Sequence, residues 1–119
     1  MANYDEIKTI IFKYFDGIRE ANRYLLEEAF ALDEAHMKGY LLGDDGKYHL
    51  NVRPIREVID EWVARNPSPE MQGKIIAINI FSDIAASALF DFNDIYVDSF
   101  QLAKIGGQWK IVNKFYVRK

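Results

Sequence analysis

The stretch YVDSFQLAKIGGQWKIVNKF, residues 96–115, decides the fold. In its first half Tyr96, Asp98, Phe100 and Leu102 recur every second residue, the period of a strand with one buried face. In its second half Trp109, Ile111, Asn113 and Phe115, continued by Val117, share one face in the same way. Gly106-Gly107 between them supplies the positive φ that a tight hairpin requires, so the two strands pair antiparallel. Working back along the chain, Ala86, Ala88, Phe90 and Phe92 mark another strand face, and Ile76, Ile78 and Ile80 one more. Everything after Gly73 therefore reads as a four-strand meander.

Ahead of Gly73 the period changes to about 3.6. Ile7, Ile10, Ile11, Tyr14, Phe15 and Ile18 form the stripe of an amphipathic helix, with Asn3 as its expected N-cap. Asn22 is placed to cap a shorter helix carrying Leu25, Leu26, Ala29 and Phe30. Pro54, suited to a first helical position, opens a third with Ile55, Val58, Ile59, Trp62 and Val63. Asn66-Pro67-Ser68-Pro69 stops it, because proline cannot continue the ladder. Gly43-Asp44-Asp45-Gly46 predicts a hairpin joining short strands near residues 36–42 and 47–52. The sum is one α+β domain over residues 1–119, a curved antiparallel sheet with three helices from the N-terminal half packed on one side.

Composition narrows the function. The 119 residues are 50% hydrophobic and 28% charged, with no cysteine, which excludes disulfides, thiolate metal sites and cysteine catalysis. A net charge of −3 without any basic block argues against nucleic acid as a partner. No apolar run approaches the roughly 20 residues of a membrane span. The opening MANYDEIK lacks the basic-then-apolar order of a secretory signal, so a soluble, cytoplasmic protein is expected. His36 and His49 lie thirteen residues apart without an HxxxH pair, so neither a metal nor another cofactor is expected. No serine sits in GxSxG, and Gly39 to Lys47 lacks the spacing of a phosphate loop.

The element order, Tyr14 in the first helix, LLEEAF (25–30), DSFQLAKI (98–105) and GGQWKIVNKF (106–115) together resemble the NTF2-like superfamily. That is the cone-shaped fold of ketosteroid isomerases and SnoaL-type cyclases. The nearest likeness is to its small bacterial family labelled "putative lumazine-binding". The resemblance covers nearly the whole chain and implies a cone with an apolar interior. It also implies pairing of two copies through the outer sheet face, where Ile95 and Val97 would add apolar surface and Ser99 and Gln101 would dilute it.

Beside the ketosteroid isomerase pattern, Tyr14 falls where those enzymes keep the phenol of their oxyanion hole. Asp98 falls where they keep a protonated acid that donates a second hydrogen bond. The alternative is that Tyr14 is a core aromatic with a wet tip and Asp98 anchors a neighbouring backbone group or lysine. Eight positions beyond Phe30, where the isomerases carry their base, stands Lys38, and this departure argues against steroid isomerisation. Lys38 is expected at a pocket rim. His36, two residues earlier and therefore on the same strand face, could replace the missing base; otherwise it is a half-exposed histidine with no task. Trp62, Tyr96, Phe100 and Phe115 are expected to look into the cone, and Asn113 to add a polar contact; each could equally be plain core.

Three functions follow: an isomerase, lyase or cyclase working through Tyr14, His36 and Asp98 on a flat, partly apolar molecule; a non-catalytic binder of a lumazine-like ligand; or a dimeric interaction module with a filled cone. The expected partners are a small molecule and a second copy of the chain.

Overall fold

In the computed structural model, which describes residues 2–119, the chain runs through three helices and six strands. They are α1 (Ala2–Glu20), α2 (Arg23–Ala29), β1 (His36–Leu42), β2 (Tyr48–Pro54), α3 (Ile55–Val63), β3 (Gly73–Ser82), β4 (Ala85–Phe92), β5 (Tyr96–Ile105) and β6 (Gln108–Arg118). Ile7, Ile11, Tyr14 and Phe15 of α1 are buried, as their spacing predicts. Asn22 caps α2, its side chain accepting from the Leu25 backbone N–H at 3.3 Å. Pro54 stands at the N-cap of α3, one position earlier than expected.

Asn3 has a different task from the cap expected of it. It lies inside α1, accepts from the Trp109 indole N–H at 3.1 Å and donates to Asp83 Oδ1 at 3.2 Å. A buried indole N–H needs an acceptor, and Asn3 supplies one.

The strands form one sheet in the order β2-β1-β6-β5-β4-β3. Neighbours in the meander pair antiparallel, but β1 runs parallel to β6. The expectation of an all-antiparallel sheet is corrected at this seam. Hydrophobic period reports that a segment is a strand, whereas the direction in which distant strands meet depends on the helical crossover between them. At the β5–β6 hairpin Gly106 and Gly107 take φ of 59° and 82°. The β4–β5 turn uses Asn93 and Asp94 at φ of 54° and 56°, residues that tolerate this region better than most.

Three register shifts interrupt the ladders, two in β3 and one between β5 and β6, and two of them bear on the expected faces. In β3 Ile76 is the extra residue between the Ile75↔Phe90 and Ala77↔Leu89 pairs. Ile75 and Ile78 therefore pack on the core while Ile76 is exposed, so Ile76 leaves the face expected for it, which Ile78 and Ile80 keep. In β6 Val112 is extra between the Gln101↔Asn113 and Leu102↔Ile111 pairs. Trp109 and Ile111 point inward as expected, but beyond the bulge Lys114 is buried and Asn113 and Phe115 turn to the outer face.

The core lies between α1, α2, α3 and the inner face of β4, β5 and β6, around Tyr14, Phe15, Phe30, Phe90 and Phe100. The rings meet mainly edge to face, with Tyr14 and Phe100 centroids 5.1 Å apart. Because the bulge separates the two positions, Ile111→Ala is expected to cost about 2–5 kcal/mol and Asn113→Ala no more than about 1 kcal/mol. Urea unfolding measures both, and equal losses would contradict the register described.

Candidate functional site

The sheet curls around the helices and leaves a cavity of about 370 Å³ near the end of α1. Its walls come from the last turns of α1, from α3 and the segment after it, from the β4–β5 turn, and from the inner residues of β5 and β6. Trp62 of α3 and Tyr96 of β5 are among the aromatic walls, with Met37 of β1 and Ile95 adding apolar surface.

At the base three polar side chains from three elements meet. The Tyr14 hydroxyl donates to Asp98 Oδ2 at 2.5 Å, a short bond of the kind a phenol makes to a carboxylate. Lys114 Nζ stands 3.2 Å from the other oxygen, Asp98 Oδ1. Asp98 is 1% exposed and Lys114 4%, and they are the two buried charged residues among those described. The lysine head also lies over aromatic faces, 4.2 Å from the Tyr116 ring centroid, 5.6 Å from Tyr14 and 5.9 Å from Trp62. Tyr116 can lie so close because its parallel partner on β1 is Gly39, where a Cβ would come within 2.7 Å of the ring.

Burial sets the proton equilibria. Desolvation holds the Lys114 ammonium below the usual lysine range, although Asp98 pulls the other way. Burial, then the negative charge and hydrogen bond of Asp98, raise the Tyr14 phenol well above its usual value. Among the charged residues on the cavity wall, Arg53, Arg65 and Lys114 face Glu61 and Asp98, an excess of one positive charge when all are ionised. Arg53 is tied to Glu57 and Glu61, whereas Arg65 has no ion-pair partner among the described residues.

The structure brings together some of the residues singled out from the sequence and separates others. Tyr14, Trp62, Tyr96 and Asp98 line the cavity. Phe100 is fully buried behind Tyr14 and forms core rather than wall. His36, Lys38, Asn113 and Phe115 lie on the opposite face of the sheet, a correction to their expected place in the cone. There His36 Nδ1 lies 3.1 Å from the Glu34 carbonyl, and Lys38 donates to Asn113 Oδ1 at 3.0 Å. Inward places on β1 belong to Met37 and Gly39, and β6 changes face at Val112. Ile95, expected on the outer face, is a wall residue because it ends the β4–β5 turn rather than lying within β5.

Tyr14 and Asp98 are bonded to each other instead of aimed side by side at a ligand oxygen, so the paired-donor arrangement of an oxyanion hole is absent here. Both Asp98 oxygens are occupied, one of them by a lysine, as the anchoring alternative had it. The polar group with donors to spare is Lys114, which strict alternation along β6 had placed outside. No local signal marks it, because β6 also carries Gln108, Lys110, Asn113 and Arg118. Among the described residues no three His, Cys, Asp or Glu side chains are grouped to hold a metal ion. No helix among them is long and apolar enough to cross a membrane.

Comparison with known proteins agrees with this geometry. The family described as "putative lumazine-binding" matches residues 2–117. An NTF2-like protein of unknown function from Shewanella baltica is 30% identical, with 99% of this chain and 94% of that one covered and a TM-score of 0.82. A second NTF2-like protein of unknown function, from Methylobacillus flagellatus, is 28% identical over 100% and 94%, with a TM-score of 0.82. A ketosteroid isomerase-like protein from Erwinia carotovora shares the fold at 14% identity, 96% and 94% coverage and a TM-score of 0.66. No curated protein matches the chain.

Tyr14→Phe is expected to cost about 1.5–3 kcal/mol at neutral pH, the worth of a hydrogen bond to a charged group. Because the folded phenol ionises above its unfolded value, this contribution is complete below about pH 10 and is lost as pH rises toward the native pKa. Urea unfolding over a pH series should therefore show wild type and Tyr14→Phe converging above pH 10, as an order-of-magnitude guide to the onset.

Proposed function

The chain belongs to the family described as "putative lumazine-binding" and has the NTF2-like cone fold, and from that premise we propose that its cavity binds a small, flat, partly apolar molecule. The ligand presents a carbonyl or anionic oxygen to Lys114. The observation that carries this reading is the nearly dry ammonium on the cavity wall, held by Asp98 through one contact and so left with donors for a ligand. Aromatic rings suit a planar molecule, and a volume of about 370 Å³ lies in the ordinary range of small-molecule sites. The unpaired Arg65 favours an acceptor-rich or anionic edge. Lumazine, a flat bicyclic dione, has this shape and these acceptors. Turnover of isomerase or lyase type is the second reading, favoured by the Tyr14–Asp98–Lys114 chain, which can take up and return a proton beside a bound carbonyl.

Isothermal titration calorimetry with lumazine and a panel of flat aromatic ketones and carboxylates tests the binding reading. Saturable binding is expected, with Trp62→Leu weakening it about tenfold, the worth of one aromatic contact. Absence of binding by the whole panel overturns it.

The same reading includes a homodimer through the outer sheet face. Tyr40 and Leu42 of β1 and Tyr48, Leu50 and Val52 of β2 are exposed there, beside Phe115 and Leu89. Tyr40 and Tyr48 stack at 5.3 Å, and the five exposed apolar residues of β1 and β2 form a cluster of the kind two copies bury against each other. Light scattering should report twice the chain mass at micromolar concentration, and Leu50→Glu should return the monomer.

A further inference from the structure

We infer that Lys114 is a nucleophilic amine that forms an imine with flat aldehydes or ketones entering the cavity. This rests on the binding reading above and narrows its ligand to a carbonyl compound. Of the nine lysines in the sequence, Lys114 is the one that is buried, and it is also the one that lines the cavity. Its Nζ lies 4.2 Å from the Tyr116 ring centroid and 5.9 Å from that of Trp62, both rings of the cavity wall that a flat carbonyl compound would contact.

Two further features match the needs of the reaction. An ammonium is not a nucleophile, so its proton must leave to a nearby base, and Asp98 Oδ1 lies 3.2 Å away. Tyr14, donating to Oδ2, holds the carboxylate in that orientation. Burial also lowers the ammonium's hold on its proton, which makes the free amine easier to reach than on a surface lysine.

The step balances with the groups present. Asp98 accepts one proton from the Lys114 ammonium, and the nitrogen lone pair attacks the carbonyl carbon. The N–C bond forms as the C=O π pair moves to oxygen. Asp98 returns its proton to that oxygen, giving a carbinolamine whose nitrogen is still cationic and carries two N–H bonds. The same carboxylate then relays one of those protons from nitrogen to the hydroxyl as the C–O bond breaks. Water departs and the nitrogen lone pair closes the C=N bond, leaving the iminium with its one remaining N–H. In sum, ammonium plus carbonyl yields iminium plus one water, with no oxidant or reductant. The iminium keeps the positive charge of the ammonium it replaces, beside the same carboxylate and over the same Tyr116 face, so the electrostatics that hold the lysine also hold the product.

The test is reductive trapping. The folded protein is treated at pH 7 with 2-naphthaldehyde and sodium cyanoborohydride, and labelled peptides are quantified by mass spectrometry. Early label on Lys114 should exceed that on any of the eight other lysines by about tenfold, and unfolding in urea should abolish the preference. Lys114→Arg, which keeps the charge, should lose the Lys114 label and leave the surface labelling unchanged. Lys114→Met serves as a second variant, with circular dichroism confirming that each folds. Lys114 labelled no faster than surface lysines, while calorimetry still shows binding of 2-naphthoate, overturns the imine and leaves the pocket reading standing. No preferential label together with no binding of any flat ligand overturns both.

Discussion

An ammonium and a carboxylate 3.2 Å apart, both almost wholly removed from water, set the terms for the rest of this molecule. Desolvating two ions cancels much of what their attraction returns, so such a pair adds little net stability compared with apolar side chains of the same size. It is tolerable only when the remaining polar atoms are satisfied. Here the Tyr14 hydroxyl occupies the second carboxylate oxygen and three aromatic faces surround the lysine head. That arrangement ties α1 to β5 and β6, the elements between which the core is packed. Its main consequence is that a phenol, a carboxylate and an ammonium are kept in contact on the wall of the cavity.

The device that places the lysine there is one extra residue. Without Val112, strict alternation would carry the inward face from Trp109 and Ile111 to Asn113 and Phe115. With it, Lys114 and Tyr116 are turned inward, and Asn113 joins Lys38 outside. Bulges are placed to re-aim side chains beside sites, and this one exchanges an amide and a phenyl ring for an amine and a phenol. Gly39 completes the change by leaving room for the Tyr116 ring on the neighbouring strand. The register shift that turns Lys114 inward is also what carries Phe115 to the outer face.

Much of the fold was legible in the residues. The α1 stripe, the Asn22 cap, the glycine hairpin at Gly106-Gly107 and the inward run Tyr96, Asp98, Phe100 and Leu102 all follow from local spacing and turn chemistry. The site was legible only in part. Tyr14 and Asp98 were placed there by the resemblance to the ketosteroid isomerase pattern, and Trp62 and Tyr96 by their periodic faces; all four line the cavity. His36, Lys38, Asn113 and Phe115 could not be placed, because β1 is short and its inward positions hold Met37 and Gly39, while β6 changes face midway. Ile76 was misread for the same reason as Asn113, a bulge that leaves no mark in hydrophobic period.

The sequence by itself determined the α+β class and the number and order of the elements, since these depend on burial period and backbone preference within a few neighbouring residues. Only the tertiary structure decided that β1 joins β6 in parallel and that Asp98 pairs with Lys114 instead of facing a ligand. It also decided which face of β6 carries the site. Strand direction, bulge position and charge partnership are properties of two segments brought together from distant parts of the chain, and no local pattern contains them.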